Sequence, residues 1–206
     1  MDPVTLALAN ARTNVKNLIP NGDLSTPLTQ FDVPIGGVRV WHTTCFTTFD
    51  GYQVIDGLYS DDIRSSRIVF DSVVGHKYYI TSLVWGITNF WDPIARIFFA
   101  RRDNADWGRL SAVLTSAETP QEVWLRSFYV TGGTGKGYYR NLLVIDLTST
   151  FGAGNEPTAD VMDYVMDGFA DGWFRGTQNL FFAFAGGVMR QIADLKNAVI
   201  SLGGGA

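Results

Sequence analysis

The chain has 206 residues, a formal net charge of −4 and a sequence pI near 5.0. Apolar residues make up 46% and charged residues 17%, which excludes a disordered chain, and the acidic balance argues against nucleic acid as a partner. The apolar run at 180–187 is far shorter than the roughly 20 residues that span a bilayer, so we expect no membrane insertion. A lone cysteine and the lack of a signal-peptide pattern predict synthesis in a reducing cytoplasm.

Residues 1–16 predict an N-terminal helix for attachment or oligomerisation. Asp2 can cap it, and Pro3 suits the first helical position. Apolar residues recur at alternating steps of three and four, the spacing of a coiled coil. The oligomerisation residues that this spacing predicts are Val4, Leu8 and Val15.

Residues 17–150 predict a jelly-roll β-sandwich, so the fold class is mainly β with flanking α-helices. Short runs rich in Val, Ile, Thr and aromatic residues are separated by Gly, Pro, Asn and Asp, as in antiparallel sheets. Two polar clusters, at 61–66 and 101–107, predict loops. We expect strands over residues 38–49, 51–58, 64–69, 78–85, 94–99, 122–130 and 138–147.

Residues 151–179 predict a short helix and a Gly-rich connector, with Thr158 capping a helix over 159–168. Residues 180–206 predict a heptad helix and a flexible tail. Its seam favours self-association, and we expect a homotrimer; packing of each terminal helix on the chain's own sheet is the alternative. The C-terminal oligomerisation residues are Val188, Ile192, Leu195, Val199 and Leu202.

Two clusters of aromatic and polar residues are candidate carbohydrate sites. The apolar C–H face of a sugar stacks on an aromatic ring, while amide, carboxylate or guanidinium groups bind its hydroxyls. The alternative is that tryptophans fill the core, above all Trp85 and Trp124. The candidates are Asn89, Trp91 and Asp92 in the first cluster, and Arg102, Asn104 and Trp107 in the second.

The sequence favours a non-enzymatic protein. It contains no GxSxG phrase, and its two histidines give little material for a catalytic triad. The glycine-rich run at 132–137 does not match a phosphate-binding loop, because Gly137 follows Lys136 where Ser or Thr is needed. We therefore expect a hairpin loop there and no catalytic residues.

Two phrases carry a resemblance to known families. Residues 17–24, NLIPNGDL, resemble the opening strand of carbohydrate-binding-module-like jelly rolls. Residues 146–158, DLTSTFGAGNEPT, resemble a segment of bacteriophage tail and fibre proteins. Jelly rolls of this kind often hold a structural calcium, and Asp23 and Asp146 are the residues that the resemblance offers as ligands; no other cofactor is implied.

The resemblance implies a bacteriophage virion protein, made in the host bacterial cytoplasm. It would be a fibre, tail or head-surface component that presents a jelly roll for attachment to host-surface glycan. Its partners would be other copies of the chain and other virion proteins. The alternative is a decoration or adaptor protein that joins virion proteins without binding sugar.

Overall fold

A computed structural model describes residues 14–25, 37–39, 45–57, 66–127 and 136–179. The described residues are mainly β, with two short α-helices and a 3₁₀ turn at Ala170–Gly172. The helices are α1 (Leu147–Phe151) and α2 (Ala159–Met166). The strands are β1 (Asn14–Lys16), β2 (Gly37–Arg39), β3 (Phe46–Phe49), β4 (Tyr52–Asp56), β5 (Ser66–Phe70), β6 (Lys77–Asp92), β7 (Ile97–Thr115), β8 (Gln121–Arg126), β9 (Gly137–Asp146) and β10 (Thr177–Asn179).

One curled antiparallel sheet, resembling a β-sandwich, forms the body. Its strand order is β2-β5-β8-β6-β9-β4-β3, and β7 pairs with the other edge of β6. The first part of β6, from Tyr78 to Gly86, pairs with β9, whereas Asn89 to Trp91 pair with β8. The long β6–β7 hairpin therefore joins two halves of the sheet, and the prediction of a mainly β, antiparallel fold is confirmed in this form.

The main core lies on the inner face of the curled sheet. Strand β5 shows how the sequence selects this face: Ile68 and Phe70 are fully buried, whereas the alternating Arg67 and Val69 are partly exposed. The Phe70 ring lies 5.0 Å from that of Tyr78 on β6. Side chains from both halves of the sheet thus share one apolar cluster.

Tyr139 lies where the pairing partner of β6 changes from β9 to β8. The side chain is fully buried, and its hydroxyl accepts a hydrogen bond from the Asn89 backbone N at 2.7 Å. The same oxygen lies 2.6 Å from the Arg126 carbonyl oxygen and 2.9 Å from that of Asn89. Burial raises the pKa of Tyr139, so the hydroxyl stays neutral and keeps its proton for these acceptors.

A second core lies between the outer face of the sheet and α2. Met162, Val165 and Met166 of this helix pack against Tyr79 and its neighbours. Thr158 caps the helix by accepting from the Val161 backbone N at 3.4 Å. The predicted helix and its cap are therefore confirmed, although the helix ends at Met166 rather than at residue 168.

Polar bonds fix α2 on the sheet. The Tyr79 hydroxyl donates to Asp163 Oδ1 at 2.5 Å, and the Ser111 hydroxyl donates to Asp163 Oδ2 at 2.6 Å. The Arg109 guanidinium donates to Asp167 at 2.7 Å. Burial and the nearby Asp163 carboxylate raise the pKa of Tyr79, so this phenol remains a donor.

The predicted helix over 1–16 is wrong for its last residues. Asn14–Lys16 form β1, which pairs antiparallel with β10 at the far end of the described chain. Val15 is fully buried against the α2 core, so it packs within the chain instead of facing a partner helix. An apolar residue between two polar ones fits a strand as well as a heptad, and pairing with β10 decides between them.

The remaining heptad residues lie outside the described residues. This applies to Val4 and Leu8 at the N-terminus, and to Val188, Ile192, Leu195, Val199 and Leu202 at the C-terminus. The predicted loop at 101–107 is wrong, because these residues belong to β7. The described fold also extends past the predicted bounds 17–150, since β1 and α2 pack on the curled sheet and β10 pairs with β1.

Candidate functional site

An open cleft of about 390 Å³ lies on the sheet beside β6, β7 and the start of β9. We call it the aromatic cleft. Phe49 stacks on Tyr138, with ring centroids 4.0 Å apart and planes 21° apart, and lies 4.9 Å from Trp85. Trp85 and Phe49 are half-buried and Tyr138 is buried. The other lining residues are Gly86, Ile87, Asp103, Asn104, Ala105 and Lys136.

A bulge in β7 shapes one wall of the aromatic cleft. Val84 pairs with Gly108 and Gly86 pairs with Asn104, so the three residues 105–107 lie opposite Trp85 alone. The extra residues push this part of β7 away from a regular ladder. The bulge places Asn104 and its neighbour Asp103 at the cleft, as the lining shows.

Arg102 holds this bulge in place. Its guanidinium donates to the Asp106 carbonyl at 2.8 Å, to Asp106 Oδ1 at 2.5 Å and to the Asn104 carbonyl at 3.4 Å. The guanidinium also packs over Gly108, where a Cβ atom would lie 2.5 Å from Arg102 Nη2. Arg102 does not line the cleft, so it positions the bulge and does not contact a ligand directly.

Trp107 lies beside the aromatic cleft without lining it. Its indole N–H donates to Asp50 Oδ2 at 2.8 Å, and its ring meets that of Tyr52 edge-on at 5.8 Å. The Arg140 guanidinium carbon lies 3.6 Å from the Tyr52 ring centroid and 4.9 Å from that of Trp107. These contacts support Phe49, whose ring is 6.2 Å from Trp107.

Gly86 allows the first residues of β9 to approach the cleft floor. Its φ is +79°, and a Cβ atom there would lie only 2.1 Å from the Lys136 carbonyl oxygen. Gly86 pairs with Gly137 across the ladder, so Lys136 is held at the edge of the cleft. Any larger residue at this position would push β9 away.

A second cleft, of about 320 Å³, lies at the other end of β6, and we call it the Trp–Arg cleft. Trp91 on β6 pairs with Trp124 on β8. The Arg126 guanidinium carbon lies 4.8 Å from the Trp91 ring centroid and 5.2 Å from that of Trp124. Pro93 and Arg96 complete the lining.

A third cation lies next to this cleft. The Arg67 guanidinium carbon is 4.7 Å from the Trp124 ring centroid, and Arg67 Nη1 pairs with Glu122 Oε2 at 2.8 Å. The Trp124 indole N–H donates to the same carboxylate oxygen at 3.1 Å. Arginine and tryptophan side chains therefore alternate from β5 to β6, each cation lying over a ring face as the ring quadrupole favours.

Of the three residues in the first predicted cluster, only one lies at a cleft. Trp91 lines the Trp–Arg cleft, but Asn89 is fully buried and its amide lies 3.5 Å from the Arg126 carbonyl. Asp92 is also buried, and its Oδ1 accepts from the backbone N of Ile94 at 2.8 Å and of Ala95 at 3.1 Å. Asp92 thus stabilises the hairpin turn, a common use of aspartate in turns.

Of the second predicted cluster, Asn104 lines the aromatic cleft, whereas Arg102 and Trp107 do not line it but contact the residues that do. Sequence reasoning missed Phe49, Tyr138 and Lys136, which come from other strands, and missed Arg126 in the Trp–Arg cleft. One signal could have found Arg126. Residues 122, 124 and 126 alternate with buried apolar residues, which puts Glu, Trp and Arg on one face of β8.

Asp23 and Asp146 do not fit a shared calcium site. Asp23 Oδ2 pairs with Arg175 at 2.6 Å, and Asp146 Oδ2 lies 3.1 Å from His76 Nδ1. Asp146 also caps α1 by accepting from the Ser149 backbone N at 2.8 Å. Calcium needs about six to eight oxygen ligands, whereas each carboxylate here is already bonded to groups of the chain. No cluster of three or more His, Cys, Asp or Glu suited to a metal occurs among the described residues.

Burial opposes ionisation of Asp146, but the hydrogen bonds from Ser149 and His76 outweigh it, so the pKa of Asp146 is lowered. The carboxylate therefore stays charged at neutral pH.

None of the helices in the described ranges has the length and apolar character of a membrane-spanning segment.

No family model and no curated protein matches this chain. Among solved structures, one described as "CBM4 structure and function" covers 62% of this chain and 99% of its own, at 14% identity and a TM-score of 0.44. The CBM22-1–CBM22-2 tandem domain of Paenibacillus barcinonensis Xyn10C covers 48% of this chain and 40% of its own, at 8% identity and a TM-score of 0.36.

The CBM22-1–GH10 modules of a Clostridium thermocellum endo-1,4-beta-D-xylanase, complexed with xylohexaose, also match. They cover 47% of this chain and 22% of their own, at 10% identity and a TM-score of 0.31. Solved structures that resemble part of this chain thus include carbohydrate-binding modules. At these scores the similarity is too distant to transfer a function.

Proposed function

We propose that this chain is a non-catalytic carbohydrate-binding protein and that the aromatic cleft is its saccharide site. The observation that carries the proposal is the combination of Phe49, Trp85 and Tyr138 rings with polar side chains at one open cleft. The apolar face of a sugar ring packs on aromatic rings, which also gain from being shielded from water. The cleft volume of about 390 Å³ falls within the usual range for small-molecule sites.

The polar lining suits a neutral saccharide. Asp103 supplies acceptors, Lys136 supplies donors, and the Asn104 amide supplies both. Sugar hydroxyls donate and accept hydrogen bonds, so this set can bind several of them at once. Asp103 also pairs with Arg101 at 3.2 Å. The lining itself carries one carboxylate and one ammonium group, which favours a ligand without net charge.

The proposal assigns no catalytic residue. Asp103 is the one carboxylate among the described residues that line the aromatic cleft. Hydrolysis of a glycosidic bond generally uses two carboxylates that face each other across the bond. Binding without turnover is therefore the function that this lining supports best.

For the biological setting, we propose a bacteriophage virion protein that attaches to host-surface glycan. This part rests on the sequence resemblance of residues 146–158 and on the C-terminal heptads. A homotrimer would hold three clefts together, and such linkage raises avidity by about 10² to 10⁴ without any new contact. Weak binding at a single cleft would then suffice for attachment.

A glycan array followed by titration calorimetry tests the saccharide site. Trp85→Ala removes one of the three rings that line the cleft, and we expect a loss of about 30-fold or more in affinity, as for tryptophan hot spots. Asn104→Ala removes one hydrogen-bonding group and should weaken binding by about two- to tenfold. Asn155→Ala, the same change in an exposed turn after α1, is the matched control and should leave affinity unchanged.

The proposal is contradicted if the assembled protein binds neither purified glycans nor host-surface material. It is equally contradicted if Trp85→Ala and Asn104→Ala, shown to be folded by circular dichroism, bind a glycan as well as the wild type. Release of reducing sugar from a bound polysaccharide would contradict the non-catalytic part.

A second candidate function is a structural adaptor that binds other virion proteins and no sugar. The observation in its favour is the tip of the β6–β7 hairpin, where Ile94, Ile97 and Phe98 are 48%, 53% and 39% exposed. Exposed apolar side chains in a group are typical of protein contacts. Ile97→Asp would then block incorporation into particles, whereas the saccharide proposal expects Ile97→Asp to leave glycan affinity intact.

A further inference from the structure

The two clefts differ in charge. The aromatic cleft is lined by one carboxylate and one ammonium group, whereas the Trp–Arg cleft is lined by two guanidinium groups. No carboxylate occurs among the described residues that line the Trp–Arg cleft. Of the acidic residues on the neighbouring strands, Glu122 pairs with Arg67, and Asp92 Oδ1 binds backbone N–H groups of the hairpin turn.

The two arginines play different parts in this cleft. Arg126 is 9% exposed and its guanidinium lies against the rings of both Trp91 and Trp124. The rings fix the plane of the guanidinium, so little side-chain entropy remains to be lost when it binds a ligand. Arg96 is exposed at the hairpin turn, where its long side chain can adjust to what enters the cleft.

A positive charge beside two apolar rings favours a particular class of ligand. Partial burial lowers the local dielectric, so an anion in the cleft interacts with Arg126 more strongly than it would in open water. A planar guanidinium matches a planar carboxylate through two parallel hydrogen bonds. The tryptophan rings add an apolar surface for a ring that bears the carboxylate.

We propose that the Trp–Arg cleft is a separate site for an acidic saccharide, with Arg96 and Arg126 binding the carboxylate of a uronic acid unit. Trp91, which is half-buried, packs against the C–H face of the same sugar ring. The ligand class rests on the proposed carbohydrate-binding function, but the site does not depend on the aromatic cleft.

The separation of the two clefts makes this independence testable. Trp85 and Trp91 are both on β6 and are six residues apart, which corresponds to about 20 Å along an extended strand. One sugar unit cannot contact both rings. A substitution in one cleft should therefore leave the other cleft's affinity unchanged.

The test is titration calorimetry of the full chain with tri-galacturonate, with the neutral trisaccharide of galactose as the comparison ligand. Arg96→Gln is the first variant, since it changes an exposed side chain and keeps a polar group. Arg126→Gln is the second. Arg175→Gln is the matched control, because it removes the same charge from an exposed arginine that pairs with Asp23 away from the cleft.

We expect tri-galacturonate to bind the wild type and to lose affinity by about tenfold in Arg96→Gln, as expected for loss of a charge-assisted hydrogen bond. Arg126→Gln should lose at least as much. Affinity should fall as salt rises from about 0.02 M to about 0.3 M, since screening shortens the reach of the two charges. Arg175→Gln and Trp85→Ala should bind tri-galacturonate like the wild type.

Four results would overturn the proposal. The first is that tri-galacturonate does not bind the wild type, and the second is that it binds Arg96→Gln and Arg126→Gln with unchanged affinity. It would also be overturned if Trp85→Ala abolished binding of the acidic ligand, because that ligand would then occupy the aromatic cleft. Galactose 6-phosphate binding more tightly than galacturonate would overturn the choice of a carboxylate.

These outcomes are distinguishable from failure of the proposed function. If neutral glycans do not bind but tri-galacturonate binds and depends on Arg96, the aromatic cleft is wrongly assigned and the Trp–Arg cleft stands. If neutral glycans bind through Trp85 and tri-galacturonate does not bind, the aromatic cleft stands and the acidic site is overturned.

Discussion

The hydroxyl of Tyr139 gives the sharpest stability prediction. It is the group that bridges β6, β8 and β9 where the curled sheet divides, and it is fully buried. Tyr139→Phe keeps the ring and removes only the oxygen. The Asn89 backbone N–H then loses its acceptor at 2.7 Å, and the Arg126 carbonyl loses a possible donor at 2.6 Å.

The expected loss of stability follows from these two groups. A buried donor left without a partner costs about 1 to 3 kcal/mol. The ring is retained, so the cavity is no larger than a hydroxyl group and adds little. We expect the free energy of unfolding to fall by about 2 kcal/mol, which corresponds to a decrease in Tm of about 4 to 8 °C for a chain of this size.

Urea denaturation followed by tryptophan fluorescence measures this change. Tyr138→Phe is the matched control, because Tyr138 is next in the chain and buried, and its hydroxyl makes no hydrogen bond with a described residue. We expect Tyr138→Phe to change stability by less than about 0.5 kcal/mol. A Tyr139→Phe variant as stable as its Tyr138→Phe control would refute the bridging role.

Three further predictions concern other parts of the fold. Tyr79→Phe removes the donor to Asp163 and should lower the free energy of unfolding by about 1 to 2 kcal/mol, with amide exchange in α2 rising first; unchanged exchange would contradict this anchoring. Gly86→Ala should clash with the Lys136 carbonyl, displace the start of β9, and so lower both the free energy of unfolding and the saccharide affinity. Unchanged affinity in titration calorimetry would show that this close approach does not shape the cleft. The lowered pKa of Asp146 means that the unfolded chain takes up its proton at higher pH than the folded chain, so protonation favours unfolding. The stabilising contribution of Asp146 is present above about pH 4, near the pKa of an unfolded aspartate, and is lost as pH falls through the lowered value. Asp146→Asn keeps a capping group and should make the urea midpoint depend less on pH in this range. An unchanged pH dependence of the urea midpoint would mean that other groups cause the acid sensitivity.

Local signals in the sequence predict much of the fold. The α2 helix follows from Thr158 as a cap and from the apolar spacing after it, and both act within a few residues. Strand β5 follows from a short run of β-branched and aromatic residues, Ile68, Val69 and Phe70. These elements can be predicted without knowing which distant strand pairs with them.

The errors have a common physical cause. The polar run at 101–107 resembles a loop, yet it is strand because one side of β7 faces solvent and the bulge is held by Arg102. Val15 fits a heptad by spacing, yet it lies in β1 because β10 is available as a partner. In both cases a contact between distant residues overrides the local pattern.

The candidate site was predictable only in part for the same reason. Asn104 is recognisable from its polar surroundings near a tryptophan, and Trp91 from its position near a hairpin turn. Phe49 and Tyr138 are ordinary strand aromatics in the sequence, and only the pairing of β4 with β3 and β9 brings them together. A cleft that combines residues from several strands requires the topology.

An amide chemical-shift titration, with a glycan that the array identifies, shows whether saccharide binds in the aromatic cleft. Saturating glycan should shift the backbone amides of Asp103, Asn104 and Lys136 together with the Trp85 indole N–H. These groups belong to one cleft, so they should titrate with one dissociation constant. Saturation that leaves these resonances unmoved would contradict the account, because the saccharide would then bind elsewhere.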